Sequence, residues 1–304
     1  MVRDTAESVG LDDVELAYRV VGDGPELVIL LHGWPQTGAC WRHVMAPLSR
    51  GRTVVAPDLR GYGASGLAQS GAYDKRSTAA DLSGLIRHLG FSSAAVIGHG
   101  RGARVAHRWA LDHPAEVDAL VLVDIVPTRV VMNSFDRHSA SELWHWFFHR
   151  NSELATKLVS GNVEAYLRYF FARVLESGAV DAETFKHYVD AFSDPGHLQA
   201  SFEDYRPDFS TDLALDEADH AKGLRVQAPL LLLWGAEGGL GGTDVVRIWQ
   251  EHHADPSAVS GHPVPGGHYV PEEAPREVVH AVEAFLGQAS TYAKPSLRER
   301  VSKS

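Results

Sequence analysis

The chain has 304 residues, of which 44% are hydrophobic, 22% charged and 9% aromatic, enough apolar material for one globular core and incompatible with a disordered or fibrous chain. Its formal charge of −11 repels a phosphate backbone and argues against nucleic acid as a partner. The single cysteine, Cys40, excludes an internal disulfide, no Cys/His spacing makes a zinc finger, and the longest apolar runs are about five residues, so a cytoplasmic protein without a membrane segment is expected.

Residues 26–31 (ELVILL), 53–56, 94–97, 119–123 and 230–233 read as buried strands. Between them run helical patterns. Leu82, Leu85, Ile86 and Leu89 fall at the i, i+3, i+4, i+7 spacing of one apolar face, with Gly90 as the stop. From about residue 130 to about 224 no strong strand occurs, and aromatic helical segments such as SELWHWFFHR and VEAYLRYFFARVLE take over. This predicts a helical cap over the carboxyl ends of the strands, where open α/β sheets bind ligands; a helical layer that only packs on the core has the same pattern. After the strand at 230–233, the last helix is predicted to begin near Pro275, bury Val278, Val282 and Phe285, and stop at Gly287. The residues from Ser290, with Lys294, Arg298, Arg300 and Lys303, read as a solvated tail. The expected fold class is therefore α/β, a mostly parallel sheet flanked by helices: core 1–129 and 225–289, cap 130–224, tail 290–304.

Four motifs sit at strand ends. Leu31-His32-Gly33-Trp34-Pro35 follows the first strand, and Asp58-Leu59-Arg60-Gly61-Tyr62-Gly63-Ala64-Ser65 follows the second. Gly98-His99-Gly100-Arg101-Gly102 runs from a strand into a helix, a nucleophile elbow whose small flanking residues allow a sharp turn. Gly266-Gly267-His268-Tyr269-Val270-Pro271 precedes the final helix. Arg101 and Arg104, at i and i+3 in a first helical turn, can offer forked donors to a small carboxylate; as cations they oppose the helix dipole there, whereas an anion would be favoured. Two arginines at a helix start also occur as salt-bridged surface residues.

In this order the motifs resemble the α/β-hydrolase family. The paired arginines, Asp124-Ile125-Val126-Pro127-Thr128, Trp144-His145-Trp146-Phe147-Phe148 and Glu203-Asp204-Tyr205-Arg206 narrow the resemblance to the fluoroacetate (haloacetate) dehalogenases, close to the epoxide hydrolases, over residues 12 to 288. In that family an elbow aspartate attacks the halogen-bearing carbon, and a histidine-activated water hydrolyses the resulting ester. The resemblance implies that His268 is the general base, that Asp124 orients it, and that the backbone N–H groups of Trp34 and Arg101 form the oxyanion hole. It also makes Arg101 and Arg104 the substrate-carboxylate clamp, and His145, Trp146 and Tyr205 the donors to the leaving halide. Taken alone, Asp124 serves equally as a turn cap and Trp146 as core filler. Glu237 is a reserve acid or a surface carboxylate, and His149, His252 and His253 are expected at the surface. No metal or organic cofactor is implied.

The nucleophile position itself holds Gly100, which has no side chain. Covalent dehalogenation is therefore expected to be lost. Two other outcomes fit the remaining residues: a non-covalent hydrolase, lyase or cyclase driven by His268 and Asp124, or a pseudoenzyme that binds a small carboxylate. A homodimer paired through the cap is a further expectation.

Overall fold

The structure, a computed structural model, describes residues 4–292. Eight strands make one sheet in the order β1-β2-β4-β3-β5-β6-β7-β8: β1 (Asp4–Gly10), β2 (Glu15–Val21), β3 (Glu26–Leu31), β4 (Arg52–Pro57), β5 (Ala94–His99), β6 (Val117–Val123), β7 (Leu230–Gly235) and β8 (Val259–Val264). β2 runs antiparallel to β1 and β4, and every other pairing is parallel. The five strands read from the sequence are the five contiguous ones, β4-β3-β5-β6-β7. Helices cover both faces there, so each must be apolar along its whole length, as the fully buried β7 (LLLLWG) shows.

The sequence reading missed β1, β2 and β8. β1 is mostly exposed, β2 alternates buried and exposed residues, and β8 (VSGHPV) carries a glycine and a proline. A strand with a wet face or a sheet edge needs no continuous apolar run and tolerates proline.

Between β6 and β7 the described residues form no named strand, only eight α-helices from Thr128–Asn133 to Thr211–Ala221 and a short 3-10 turn. Aspartates start several of them: Asp181 accepts from Thr184 N, and Asp194 from Gly196 N and His197 N. The segment buries Leu167, Phe171, Tyr188, Phe192 and Phe202. Phe171 stacks on Tyr188 at 5.3 Å and on Tyr269, from the loop before the final helix, at 4.8 Å, which fixes the segment to the carboxyl end of the sheet.

Helix Lys75–His88 follows its predicted face, with Leu82, Leu85 and Ile86 buried and Gly90 turning the chain at φ +84°. The final helix departs from expectation: it runs Pro275–Tyr292, passing through Gly287. Its buried stripe is Val278, Val282 and Leu286, at steps of four, and Phe285 is only half-buried beside it. A helical glycine costs only about 1 kcal/mol relative to alanine, too little to stop a helix packed along such a stripe. Ser290 to Tyr292 thus belong to this helix rather than to a tail, and residues 293–304 lie outside the described residues. No helix among the described residues is long and apolar enough to cross a membrane.

Candidate active site

β5 ends at His99 and the next helix starts at Arg101, so the chain turns within one residue. Gly100 makes the turn at φ +53° and ψ −117°, a backbone that strains any residue with a side chain. The flanking glycines are required by close approach. A Cβ at Gly98 would lie 2.5 Å from Ala103 Cα, and one at Gly102 would lie 2.5 Å from the His32 carbonyl oxygen. At Gly100 there is room: a Cβ would meet Gly33 Cα and His268 Nε2, each at 3.5 Å, ordinary van der Waals distances.

Asp124 and His268 come together from the ends of β6 and of the β8 loop. His268 Nδ1 lies 2.6 Å from Asp124 Oδ2. A carboxylate oxygen accepts, so Nδ1 carries the proton and Nε2 keeps its lone pair on the side of Gly100. The second Asp124 oxygen accepts from the Gly235 backbone N–H at 3.0 Å. Asp124 is the one non-glycine residue among the described residues with positive φ, +55°, and its carboxylate is 5% exposed against 47% for the His268 ring. A buried anion facing a half-open imidazole can hold that ring in one tautomer and stabilise the imidazolium that forms.

His99 was not assigned from the sequence. Its Nε2 donates to the His268 carbonyl oxygen at 2.7 Å, and burial, then the neighbouring His268, pushes its pKa well below the ordinary value, so it stays neutral. It holds the histidine loop against the elbow. The Trp34 and Arg101 backbone N–H groups have no protein acceptor among the described hydrogen bonds, as an oxyanion hole requires.

The two arginines are placed differently. Arg101 is committed to protein carboxylates: its Nε donates to Asp204 Oδ2 at 2.7 Å, one terminal nitrogen bonds Asp208 Oδ2, and the other bonds the Asp204 carbonyl. The expectation of two open forks is not met at Arg101, because the segment after Glu203 brings two acids to it. Asp204 is shared with Lys75 Nζ at 2.6 Å and the Tyr62 hydroxyl at 3.1 Å. Burial alone would raise the Asp204 carboxyl, but Arg101 and Lys75 outweigh it and hold the pKa well below the usual carboxylate range. Arg104, 6% exposed, makes no ion pair among the described residues. One terminal nitrogen bonds Thr128 Oγ1 at 2.9 Å and the Val126 carbonyl at 3.2 Å. Its other N–H groups make no hydrogen bond among the described residues. Burial pushes its pKa down to about 10, which leaves it charged at any working pH.

His145, Trp146 and Tyr205 gather over these arginines. The Tyr205 ring lies 5.8 Å from His145 and 5.9 Å from Trp146, Arg101 sits 4.1 Å above Tyr205, and Arg104 sits 4.8 Å above Trp146. No protein hydrogen bond among the described residues uses His145 Nε2, Trp146 Nε1 or Tyr205 Oη. Burial pushes the His145 pKa down to about 3, so it is a neutral donor rather than a cation, and burial keeps the Tyr205 phenol protonated. The Trp34 ring stacks on His145 at 5.8 Å.

The remaining expectations divide. Glu237 is 63% exposed and paired with Arg173, a surface carboxylate. His149, His252 and His253 are buried, not at the surface. Each has a polar partner that makes burial affordable: the Tyr166 hydroxyl for His149, the Ile248 carbonyl for His252 and the Ala228 carbonyl for His253. No group of three or more His, Cys, Asp or Glu side chains among the described residues is arranged to hold a metal ion. Sequence reading also passed over Lys75, Asp204, Asp208 and Asp212 as a charge network. The available signal was the i, i+4, i+8 spacing of the three aspartates, and their cationic partners come from distant helices.

A family model described as alpha/beta hydrolase fold matches residues 26–275. The chain is 34% identical over 289 residues to a fluoroacetate dehalogenase from Burkholderia sp, covering 92% of this chain and 93% of that one. It is 35% identical over 283 residues to a soluble epoxide hydrolase from Corynebacterium sp. (strain C12), covering 91% and 95%. The crystal structure of ALR0039 from Nostoc sp PCC 7120 superposes with a TM-score of 0.87 at 37% identity, covering 93% of this chain and 98% of that one. With its mostly parallel sheet, its strand-to-helix elbow and its Asp124–His268 pair at the strand ends, the chain belongs to the α/β-hydrolase fold family.

Proposed function

We propose that this hydrolase-fold chain is framed for small halogenated carboxylic acids and that its covalent route is closed at Gly100. The observation that carries the reading is the elbow itself. A Cβ at residue 100 would stand 3.5 Å from His268 Nε2, in ordinary contact, and the chain supplies no atom there to form a bond. Arg104 offers unpaired donors to a carboxylate, and His145, Trp146 and Tyr205 offer three donors to a departing halide. With an elbow carboxylate, an oxygen would bond the substrate carbon as halide leaves with its electron pair; His268 would then draw a proton from the water that cleaves the ester. With glycine, the first of these steps has no nucleophile.

A second reading is favoured by the intact 2.6 Å Asp124–His268 bond. Here His268 Nε2 takes a proton from water as the water oxygen bonds the substrate carbon directly and the leaving group departs with its bonding pair. At an acyl centre, the Trp34 and Arg101 N–H groups would receive the developing oxyanion.

The deciding experiment measures halide and acid release from fluoroacetate, chloroacetate and a small epoxide and ester panel, by this chain and by Gly100→Asp in parallel. Halide release by the variant alone supports the first reading. Histidine-dependent turnover by the unaltered chain, with an inactive variant, replaces it with the second.

A further inference from the structure

His268 lies in a glycine-rich loop and its ring is half-exposed, yet the backbone on either side of it is held by one carboxylate. Glu273, one turn into the following helix, reaches back so that Oε2 accepts from the Gly267 N–H at 2.8 Å and Oε1 from the Tyr269 N–H at 3.0 Å. The side chain is 7% exposed. Arg173, on helix Val163–Glu176 of the helical segment, lies against the same carboxylate, with Nε 3.3 Å from Glu273 Oε2, and its terminal nitrogen bonds Glu237 at 2.6 Å. Glu237 N in turn donates to the Gly266 carbonyl at 2.9 Å. Gly267 is where these groups converge: a Cβ there would lie 3.3 Å from Glu273 Oε1 and 3.4 Å from Arg173 Cζ.

We propose that Glu273 is the positioning residue of His268, and that Arg173 makes this positioning depend on the docking of the helical segment. One oxygen fixes the Gly266–Gly267 peptide, the other fixes the His268–Tyr269 peptide whose carbonyl His99 also holds, and the ring can then meet Asp124 in one orientation. A misplacement of about 1 Å at such a group can cost a hundredfold in rate. The inference rests on His268 being the working base as proposed above, and the first test below does not require turnover.

The Nδ1 proton of His268, in its 2.6 Å bond to Asp124, is read by proton NMR downfield of the amides and assigned by its disappearance in His268→Gln. Glu273→Gln keeps the side-chain size but has one acceptor oxygen, so it serves one N–H group and turns an amide donor toward the other. The expected result is exchange broadening or loss of that resonance with the melting transition retained. Arg173→Gln, which removes only the tie to the helical segment, is expected to give a smaller broadening. In the Gly100→Asp background, Glu273→Gln is expected to lower kcat about tenfold to a hundredfold while KM changes little. An unchanged resonance and exchange rate in Glu273→Gln would overturn the proposal. If that variant does not fold, amide exchange in the unaltered protein decides: protection at Gly267 and Tyr269 supports it, and exchange as fast as in exposed loops overturns it. Loss of the resonance in Glu273→Gln, with no turnover by any variant, leaves the positioning in place and removes the dehalogenase reading.

Discussion

The two halves of the site are held by opposite means. In the proton-handling half nearly every polar atom is tied to protein: both oxygens of Asp124, Nδ1 and the carbonyl of His268, and the N–H groups that flank it. His268 Nε2 is left open. In the ligand-facing half Arg101 is tied down by Asp204 and Asp208, while Arg104, His145, Trp146 and Tyr205 keep donors that no described protein group takes. Full satisfaction fixes one proton acceptor in place; unsatisfied donors in a buried wall suit a site completed by an anion.

The largest expected effect separates the halves chemically. In the Gly100→Asp protein, adding His268→Gln should leave the first bond-forming step intact and stop the second. Chloroacetate should then leave a stable carboxymethyl ester on the elbow, visible by intact mass, while steady halide release drops by about 10³ to 10⁴. Undiminished steady turnover would show that the proton-handling half is not centred on His268.

The next effect concerns stability. Asp204→Ala strips Arg101 and Lys75 of their shared counter-ion while both stay buried. Breaking such a buried network on one side is expected to cost about 3–5 kcal/mol, read from urea unfolding. A loss below about 1 kcal/mol would mean that water already screens these charges and that Arg101 is more open than its contacts indicate.

The same division decides what could be read in the sequence. Whereas His268, after β8, was named through its Gly-Gly-His loop and the family resemblance, Asp124 and the elbow at Gly100 were legible because each directly follows a buried apolar strand. Trp34 follows the same rule. Arg101 and Arg104 were legible as a pair but not in their difference, since the acids that claim Arg101 arrive on Asp204 and Asp208, a hundred residues away in the chain. His149 was placed at the surface because no carboxylate or cysteine at metal-ligand spacing accompanies it; the structure buries it, with Phe202 stacked on its ring at 4.2 Å and the Tyr166 hydroxyl on Nε2. β1, β2 and β8 lack the run that marks a two-sided strand. His145, Trp146 and Tyr205, on the helical segment, were named only through the family resemblance, and the contacts set by helix packing were not legible.

A pH effect sharpens the ligand-facing half. Asp216, on helix Thr211–Ala221, is 8% exposed, and one of its oxygens has no partner among the described residues. Burial raises its carboxyl to about 6, against the pull of Arg108 and Arg104. A folded-state pKa above the unfolded one means that the native state holds the proton more tightly. The stabilisation is full below the unfolded carboxylate range near pH 4 and is lost as pH rises through about 6, by up to about 3 kcal/mol. Asp216→Asn should flatten that decline, measured as urea midpoints from pH 4.5 to 7.5. A variant less stable than the parent at pH 7 would instead identify Asp216 as a needed counter-ion of the arginines.

The smallest expected effect tests whether the open donors are open. Tyr205 is 2% exposed, and its ring is held by Arg101, Trp146 and His145. Tyr205→Phe keeps those ring contacts and removes only Oη. A hydroxyl bonded to protein would leave a buried partner unsatisfied, at a cost of about 1–3 kcal/mol; one that faces the ligand space leaves none. The unfolding free energy should therefore change by less than about 0.5 kcal/mol, while inhibition by fluoride or chloride in the Gly100→Asp protein weakens. Tyr188→Phe is the matched control, because its hydroxyl donates to buried Glu272 at 2.5 Å. If both variants lose stability equally, Tyr205 Oη is a structural group and the halide wall reduces to His145 and Trp146.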